Sequence, residues 1–297
     1  MRTPREQFAA TTADLLDEDP RVALVWAEIS GRYFGDMTRT HSERVVNVGI
    51  REQLLVSVGA GMALTGMRPV MHTISAFLVE RAFEQVKLDF AHQDVGGVLV
   101  GVGGSYDVSA GGRTHQSPGD VALMDTLPAV HIHAPGTAQE TDAALRRAVA
   151  DGGLHYVRVG EQVNVASYPL DGRLHVVRHG DGPVVVAFGP MLDPVLEATV
   201  GMDVGVLHCN TVRPFDGAGL RAALPRGGTA EIVLVEPWLS GTSARVVGEA
   251  LQDVPHRLLG LGVPRRELRR YGSPSEHAAA YGLDPAGIRR SIAAFAR

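Results

Sequence analysis

The sequence predicts an α/β protein whose first part is a doubly wound parallel sheet and whose second part is a smaller α/β domain. Three observations carry this. Short, unbroken apolar runs alternate with helix-period segments over the first ~165 residues, as in strands buried on both faces and joined by crossover helices. The 35 glycines cluster at the ends of apolar runs, where tight strand-to-helix turns favour a residue without a Cβ. Residues 160–182 then become polar and turn-rich, and a smaller round of alternation follows. We expect a first domain over 1–165, a linker over 166–182 and a second domain over 183–297.

Taken in order, 4–18 reads as a helix and 22–29 as a buried strand. A short strand at 45–48 runs into a helix at 51–63 built of glycine and small apolar residues. A strand at 68–72, an amphipathic helix at 76–92 and a strand at 97–102 follow. A glycine-rich loop occupies 103–116. Strands at 129–133 and 155–159 flank a helix at 137–150. In the second half we expect strands at 184–188, 204–208, 231–236 and 256–261, with helices at 192–200 and 243–252 between them. Two helices close the chain, around 275–281 and 284–296. Asp284 is the N-cap of the last, and Pro285 stands in its first turn.

The bulk properties narrow the function. The hydrophobic fraction of 45% suits a chain that buries a full core. A net charge of −5 argues against a nucleic-acid or anionic-membrane partner, since either requires a basic patch. One cysteine, Cys209, permits no intramolecular disulfide and supplies too little sulfur for a zinc-thiolate site. With no secretory pattern at the N-terminus and no long apolar span, the expected location is cytoplasmic.

Three segments carry candidate chemistry. Glu52 lies in Asn47-Val-Gly-Ile-Arg-Glu-Gln53, at a strand-to-helix junction. An acid there interacts favourably with the helix dipole by roughly 0.3–1 kcal/mol, reason enough for its presence. The helix that follows reads as buried, however, so Glu52 must find a partner or stay protonated. Phe77 and Arg81 share the next helix; Phe77 has helical spacing with Val86, which core packing explains equally well. Arg113-Thr-His-Gln116 ends the glycine-rich loop, where backbone can approach a ligand and His115 can exchange protons near neutral pH. A structural histidine is the alternative. His131 and His133 share a strand face, as a metal pair or as structural residues, with no third ligand nearby in the sequence.

Together these segments resemble the pyrimidine-binding and C-terminal domains of the transketolase family, which includes the deoxyxylulose-phosphate synthases. The features run in family order. They are Asn47 to Gln53, the Phe-Leu…Arg-Ala-Phe-Glu-Gln helix from Phe77 to Gln85, Thr114-His-Gln116, Ala134-Pro and Tyr156-Val-Arg158. Thr211-Val-Arg-Pro-Phe-Asp216, Val235-Glu-Pro and Gly272-Ser-Pro-Ser-Glu276 continue the match through about residue 296. The resemblance implies a thiamin-diphosphate-binding fold followed by a transketolase C-terminal domain. It implies catalytic roles for Glu52 and His115: Glu52 contacts the pyrimidine nitrogen of thiamine diphosphate, and His115 faces substrate hydroxyls. It gives Phe77 the stacking position on the pyrimidine, and Arg158 a grip on substrate phosphate. The loop Ala110-Gly-Gly-Arg-Thr-His-Gln116 lacks two acids that family members direct at sugar hydroxyls, and gains Arg113. This suggests an anion contact at Arg113, to phosphate or carboxylate, and substrates other than the usual pentose phosphates.

Family members carry a further domain for the diphosphate and its divalent metal, Mg2+ or Ca2+. Gly180-Asp-Gly182 with Asn210 imitates that motif's spacing, but it runs straight into a strand at the start of the second domain. The metal ligands are therefore expected on an N-terminal diphosphate-domain transketolase subunit, in an α2β2 assembly. The reaction implied is transfer of a two-carbon ketol unit from a ketose, often a sugar phosphate, to an aldose, with activity only in the complex. The alternatives are a β-subunit-like component of a 2-oxoacid dehydrogenase, passing an acyl or glycolyl unit to a carrier protein, and a non-catalytic stabilising subunit.

Overall fold

The computed structural model describes residues 2–225, 227–267 and 269–296. The first half contains α1 (Pro4–Glu18), β1 (Val22–Trp26), α2 (Gly31–Thr40), β2 (Val45–Asn47), α3 (Glu52–Leu64) and β3 (Arg68–Ile74). The helical stretch after β3 is wound in wide π-type turns at Ala76–Arg81 and Val86–His92, on either side of a short α4 (Phe83–Gln85). Then come β4 (Gly97–Val102), α5 (Asp120–Met124), β5 (His131–His133), α6 (Ala138–Asp151) and β6 (Leu154–Val159). The second half contains β7 (His175–Arg178), β8 (Val184–Phe188), α7 (Leu192–Ala198), β9 (Gly205–Cys209), β10 (Thr211–Arg213) and α8 (Gly217–Ala223). It ends with β11 (Ala230–Leu239), α9 (Ala244–Ala250), β12 (His256–Val263), α10 (Pro274–Tyr281) and α11 (Pro285–Phe295).

Among the described residues the strands form two sheets. The seven-stranded sheet has the order β10-β5-β6-β4-β3-β1-β2, and the five-stranded sheet β12-β11-β8-β9-β7. All ladders of the first sheet are parallel except β10 against β5. The unbroken apolar runs become the buried central strands: every residue of β4, β6 and β8 is buried. The α/β architecture is thus as the sequence predicts.

Local chemistry explains the helix starts. Thr3 and Glu6 form a capping box on α1, with Pro4 in its first turn, and Ser273 and Glu276 do the same for α10. Asp284 caps α11 by accepting from the Gly287 amide. Two strands differ from the sequence reading. β7 lies within the stretch expected to be a linker, as a half-exposed antiparallel edge strand that lacks an apolar run. β10, from the second half, adds to the edge of the first sheet. One apolar cluster also runs through both halves, with Ile132 and Tyr156 from the first and Phe188 and Trp238 from the second. Buried Glu140 adds a polar tie, accepting from Gly136 N (2.7 Å), Tyr168 N (2.9 Å) and His208 Nε2 (3.2 Å). Gly180 and Gly182 have a packing reason: a Cβ at either would collide with the backbone of Asp203 and Val204.

Candidate functional site

The carboxyl ends of parallel strands are where the open sheet offers a crevice, at the point where strand order reverses. Here β1 has β2 on one side and β3 on the other, so the chain reverses beside it. The segments leaving β2, β3 and β4 converge there, carrying Glu52, Phe77 and His115 respectively.

Glu52 opens α3 after a turn that requires Gly49 at φ +69°. Its side chain is only 2% exposed, and its Oε2 accepts from Arg81 Nη1 at 2.7 Å. The burial dilemma is therefore resolved by a partner. The Arg81 guanidinium also lies over the Phe77 ring, 4.0 Å from its centroid. The His115 ring meets Phe77 edge-on at 5.2 Å. His115 is seated against Gly111, where a Cβ would press on its imidazole, and Thr114 Oγ1 lies 2.9 Å from its Nδ1. The structure thus brings Glu52, Arg81, Phe77 and His115 into one continuous wall. Arg51, Gln53, Leu54 and Arg81 leave its outer side open to solvent.

Two expected residues stand apart from this wall. Arg113 is half-exposed, donating to Gln116 O and facing Glu267 of the second half at 3.0 Å. Arg158 is 2% exposed, with its Nε 2.9 Å from Asp120 Oδ2 and its Nη2 2.6 Å from Ser105 Oγ. Its guanidinium also lies 5.5 Å from the Trp238 ring centroid. Gly104 lets it pass, since a Cβ there would strike the guanidinium. Asp120 also accepts from the Tyr156 hydroxyl at 2.9 Å. Burial pushes the Tyr156 hydroxyl well above its ordinary value and the nearby Asp107 carboxyl up to about 6.

The sequence reading missed three features of the site. Asp120, in Ser117-Pro-Gly-Asp120, reads as a turn residue before an apolar run, with no sign of an ion pair to a distant strand. Glu28 and Ser30 adopt left-handed φ values of 62° and 65° on the loop leaving β1, and no residue type there signals them. Asn47 holds that loop, accepting from the Glu28 amide at 3.3 Å and donating to Glu28 Oε2 at 3.1 Å. The third is the outer face of α3. The sequence predicts a buried helix, yet Leu54 is 45% and Leu64 58% exposed, with Ile50 at 70% and Leu88 at 43% beside them. The outer face of the helix mixes Leu54 and Leu64 with exposed Gln53, Ser57 and Gly61, and this chain covers only the inner face.

The sequence profile of the transketolase pyrimidine-binding domain matches residues 2–164. The chain belongs to the transketolase family. It is 45% identical to a protein of the fasciation locus of Rhodococcoides fascians, over 97% of this chain and 93% of that one. It is 33% identical to the 1-deoxy-D-xylulose-5-phosphate synthase of Leptothrix cholodnii, over 96% of this chain but only 46% of the synthase. It is 28% identical to one subunit of the apulose-4-phosphate transketolase of Phocaeicola vulgatus, over 99% of this chain and 97% of that one. In structure it is similar to a split gene transketolase solved as an inactive β4 tetramer, with TM-score 0.85, 25% identity and full coverage of both chains. Transketolase relatives therefore match this chain both as half of a longer enzyme and as a separate polypeptide. No helix among the described residues is long and apolar enough to cross a membrane.

Proposed function

We propose that this chain is the pyrimidine-binding, C-terminal subunit of a two-component transketolase. It acts in transfer of a two-carbon ketol unit from a ketose, or ketose phosphate, to an aldose. The observation that carries this is the Glu52–Arg81–Phe77 arrangement. A planar group bearing N–H donors already meets the Glu52 carboxylate and the Phe77 face at once, because the Arg81 guanidinium does so. An aminopyrimidine is likewise planar and nitrogen-rich, so these residues fit thiamine diphosphate. When bound, that cofactor supplies the nucleophilic carbon for ketol transfer.

In this reading Glu52 holds the proton at a ring nitrogen of the pyrimidine, and its burial keeps water from competing for it. Phe77 supplies the flat apolar contact. His115 faces the substrate and exchanges a proton with its hydroxyls. Arg113 is the cation available to a substrate anion once it releases Glu267. Arg158 is fixed through Nε on Asp120 and Nη2 on Ser105, and its remaining N–H groups are assigned the grip on a substrate phosphate.

The diphosphate and its Mg2+ or Ca2+ are assigned to a separate N-terminal subunit, in an α2β2 complex. The uncovered apolar residues Ile50 and Leu54, on either side of Glu52 in the chain, support a partner beside Glu52. The Phocaeicola vulgatus relative, itself one subunit of a transketolase, supports the same division. The test is co-expression with a diphosphate-domain subunit, followed by a ketol-transfer assay with thiamine diphosphate. The paired chains should turn over, the isolated chain should not, and Glu52→Gln should abolish turnover without dissolving the complex. Turnover by the isolated chain overturns the split reading. An assembled wild-type complex that stays inactive, with a bound cofactor, supports the stabilising-subunit alternative instead.

A further inference from the structure

We propose that His131, His155 and Asp151 form a binding site for a divalent transition metal of the zinc class, at the amino-terminal rim of the first sheet. This site is separate from the cofactor wall, which lies at the carboxyl ends of the same strands.

The placement follows from strand register. β5 and β6 pair in parallel with His131 opposite His155, so both side chains rise from the same face of the sheet. Asp151, the last residue of α6, is separated from β6 by only Gly152 and Gly153 and returns to that rim. One donor atom from each of the three residues lies within 4.8 Å of the other two. His131 Nδ1 and His155 Nε2 are 3.1 Å apart. Two nitrogens each about 2.0–2.1 Å from a tetrahedral zinc stand about 3.3 Å apart, so the pair needs little adjustment.

The surroundings suit ligation. His155 is fully buried and His131 is half-buried, so neither ring is open to bulk water on all sides. With Nε2 on the metal, His155 Nδ1–H donates to His133 Nε2 at 3.1 Å, which fixes the ring. His131 is half-buried and Asp151 exposed, leaving an access route and room for a water as fourth ligand. Two cations oppose the ion. Arg147 pairs with Asp151 at 3.0 Å, and Arg68 is held by the carbonyls of Ala148 and Gly152. Arg147 is 38% exposed and able to swing away. The bound metal would tie β5, β6 and α6 together and contribute stability rather than turnover.

The test uses the full-length chain, free of any polyhistidine tag and stripped of metal by chelation. Calorimetric titration with Zn2+ should show one saturable equivalent, weakened about tenfold or more in His131→Gln. Asp151→Asn should weaken it too, and both variants should keep the wild-type circular dichroism. Co2+ bound to the wild-type chain should give the intense visible absorption of a tetrahedral site, lost in His131→Gln. If either variant misfolds, the wild-type Co2+ spectrum decides. No saturable Zn2+ binding, wild-type affinity in folded His131→Gln, or an octahedral Co2+ spectrum overturns the site. Cofactor turnover plays no part in this readout, so its failure leaves the transketolase reading intact.

Discussion

Two acid–arginine pairs flank the same glycine-rich loop, and they have opposite surroundings. In Asp120–Arg158 both side chains are buried, at 0% and 2% exposure. In Glu52–Arg81 the acid is buried and the arginine is 42% exposed. The closed pair uses Arg158 Nε and Nη2, on Asp120 and Ser105, and holds the loop to the second half through Ser105 and Trp238. An open pair keeps one side chain in place and lets the other move. The arginine that family resemblance points to as a substrate contact is thus the locked one. The arginine without an assigned role is the half-exposed one, next to the acid and the aromatic ring.

Breaking the closed pair should have the largest effect on folding. Asp120→Ala leaves the Arg158 charge buried without compensation and should destabilise the chain by about 3–5 kcal/mol, measured by urea unfolding. A loss under about 1 kcal/mol would mean that water reaches the pair. For the open pair the effect moves from folding to chemistry. Glu52→Gln keeps shape and a hydrogen bond, so unfolding should change by about 1 kcal/mol or less. Turnover of the partnered complex should fall about 10²–10⁴-fold in a ketol-transfer assay.

Asp107 probes the closed region through pH. Its folded value of about 6 exceeds the ordinary 3.8, mainly through burial. Below about pH 4 both states hold the proton. Between about 4 and 6 only the unfolded chain releases it, so stability falls as pH rises, and above 6 the penalty is complete. Asp107→Asn should therefore gain about 1–3 kcal/mol near pH 8 and nothing near pH 4, in thermal melts at both pH values. A gain that is the same at both values would assign the effect to packing. A smaller effect than the closed pair's belongs to Arg81→Ala, which opens the site to water but leaves the buried Glu52 carboxyl without its partner, and should cost about 1–3 kcal/mol in urea unfolding. A larger loss would place Arg81 with the closed pair.

The same contrast separates what was legible in the sequence from what was not. Central strands were legible, because a run such as Gly97-Val-Leu-Val-Gly-Val102 has few other places to go in a folded chain. The wall was legible as an ordered set of segments, since Glu52, Phe77 and His115 each sit just past a readable strand. β7 was not, because His175-Val-Val-Arg178 alternates weakly at an edge and lies among turn residues. β10 and the Asp120–Arg158 pair depend on distant partners, which local pattern does not encode. The same holds for His131 and His155. Strand register, invisible in one dimension, makes them neighbours, and the cluster becomes His131, His155 and Asp151 in place of the His131–His133 pair read from the sequence.

The borrowed strand β10 also limits where this polypeptide can be cut. The turn-rich stretch before β8 looks like the natural place to separate two modules for expression. A fragment ending there would lose Thr211–Arg213 and expose the hydrogen-bonding edge of β5, an invitation to intermolecular pairing. It would also leave Tyr156 without the apolar residues of the second half that share its cluster. The better unit for expression, crystallisation or fusion is the two sheets together, with any engineered break placed outside the span from β5 to β10.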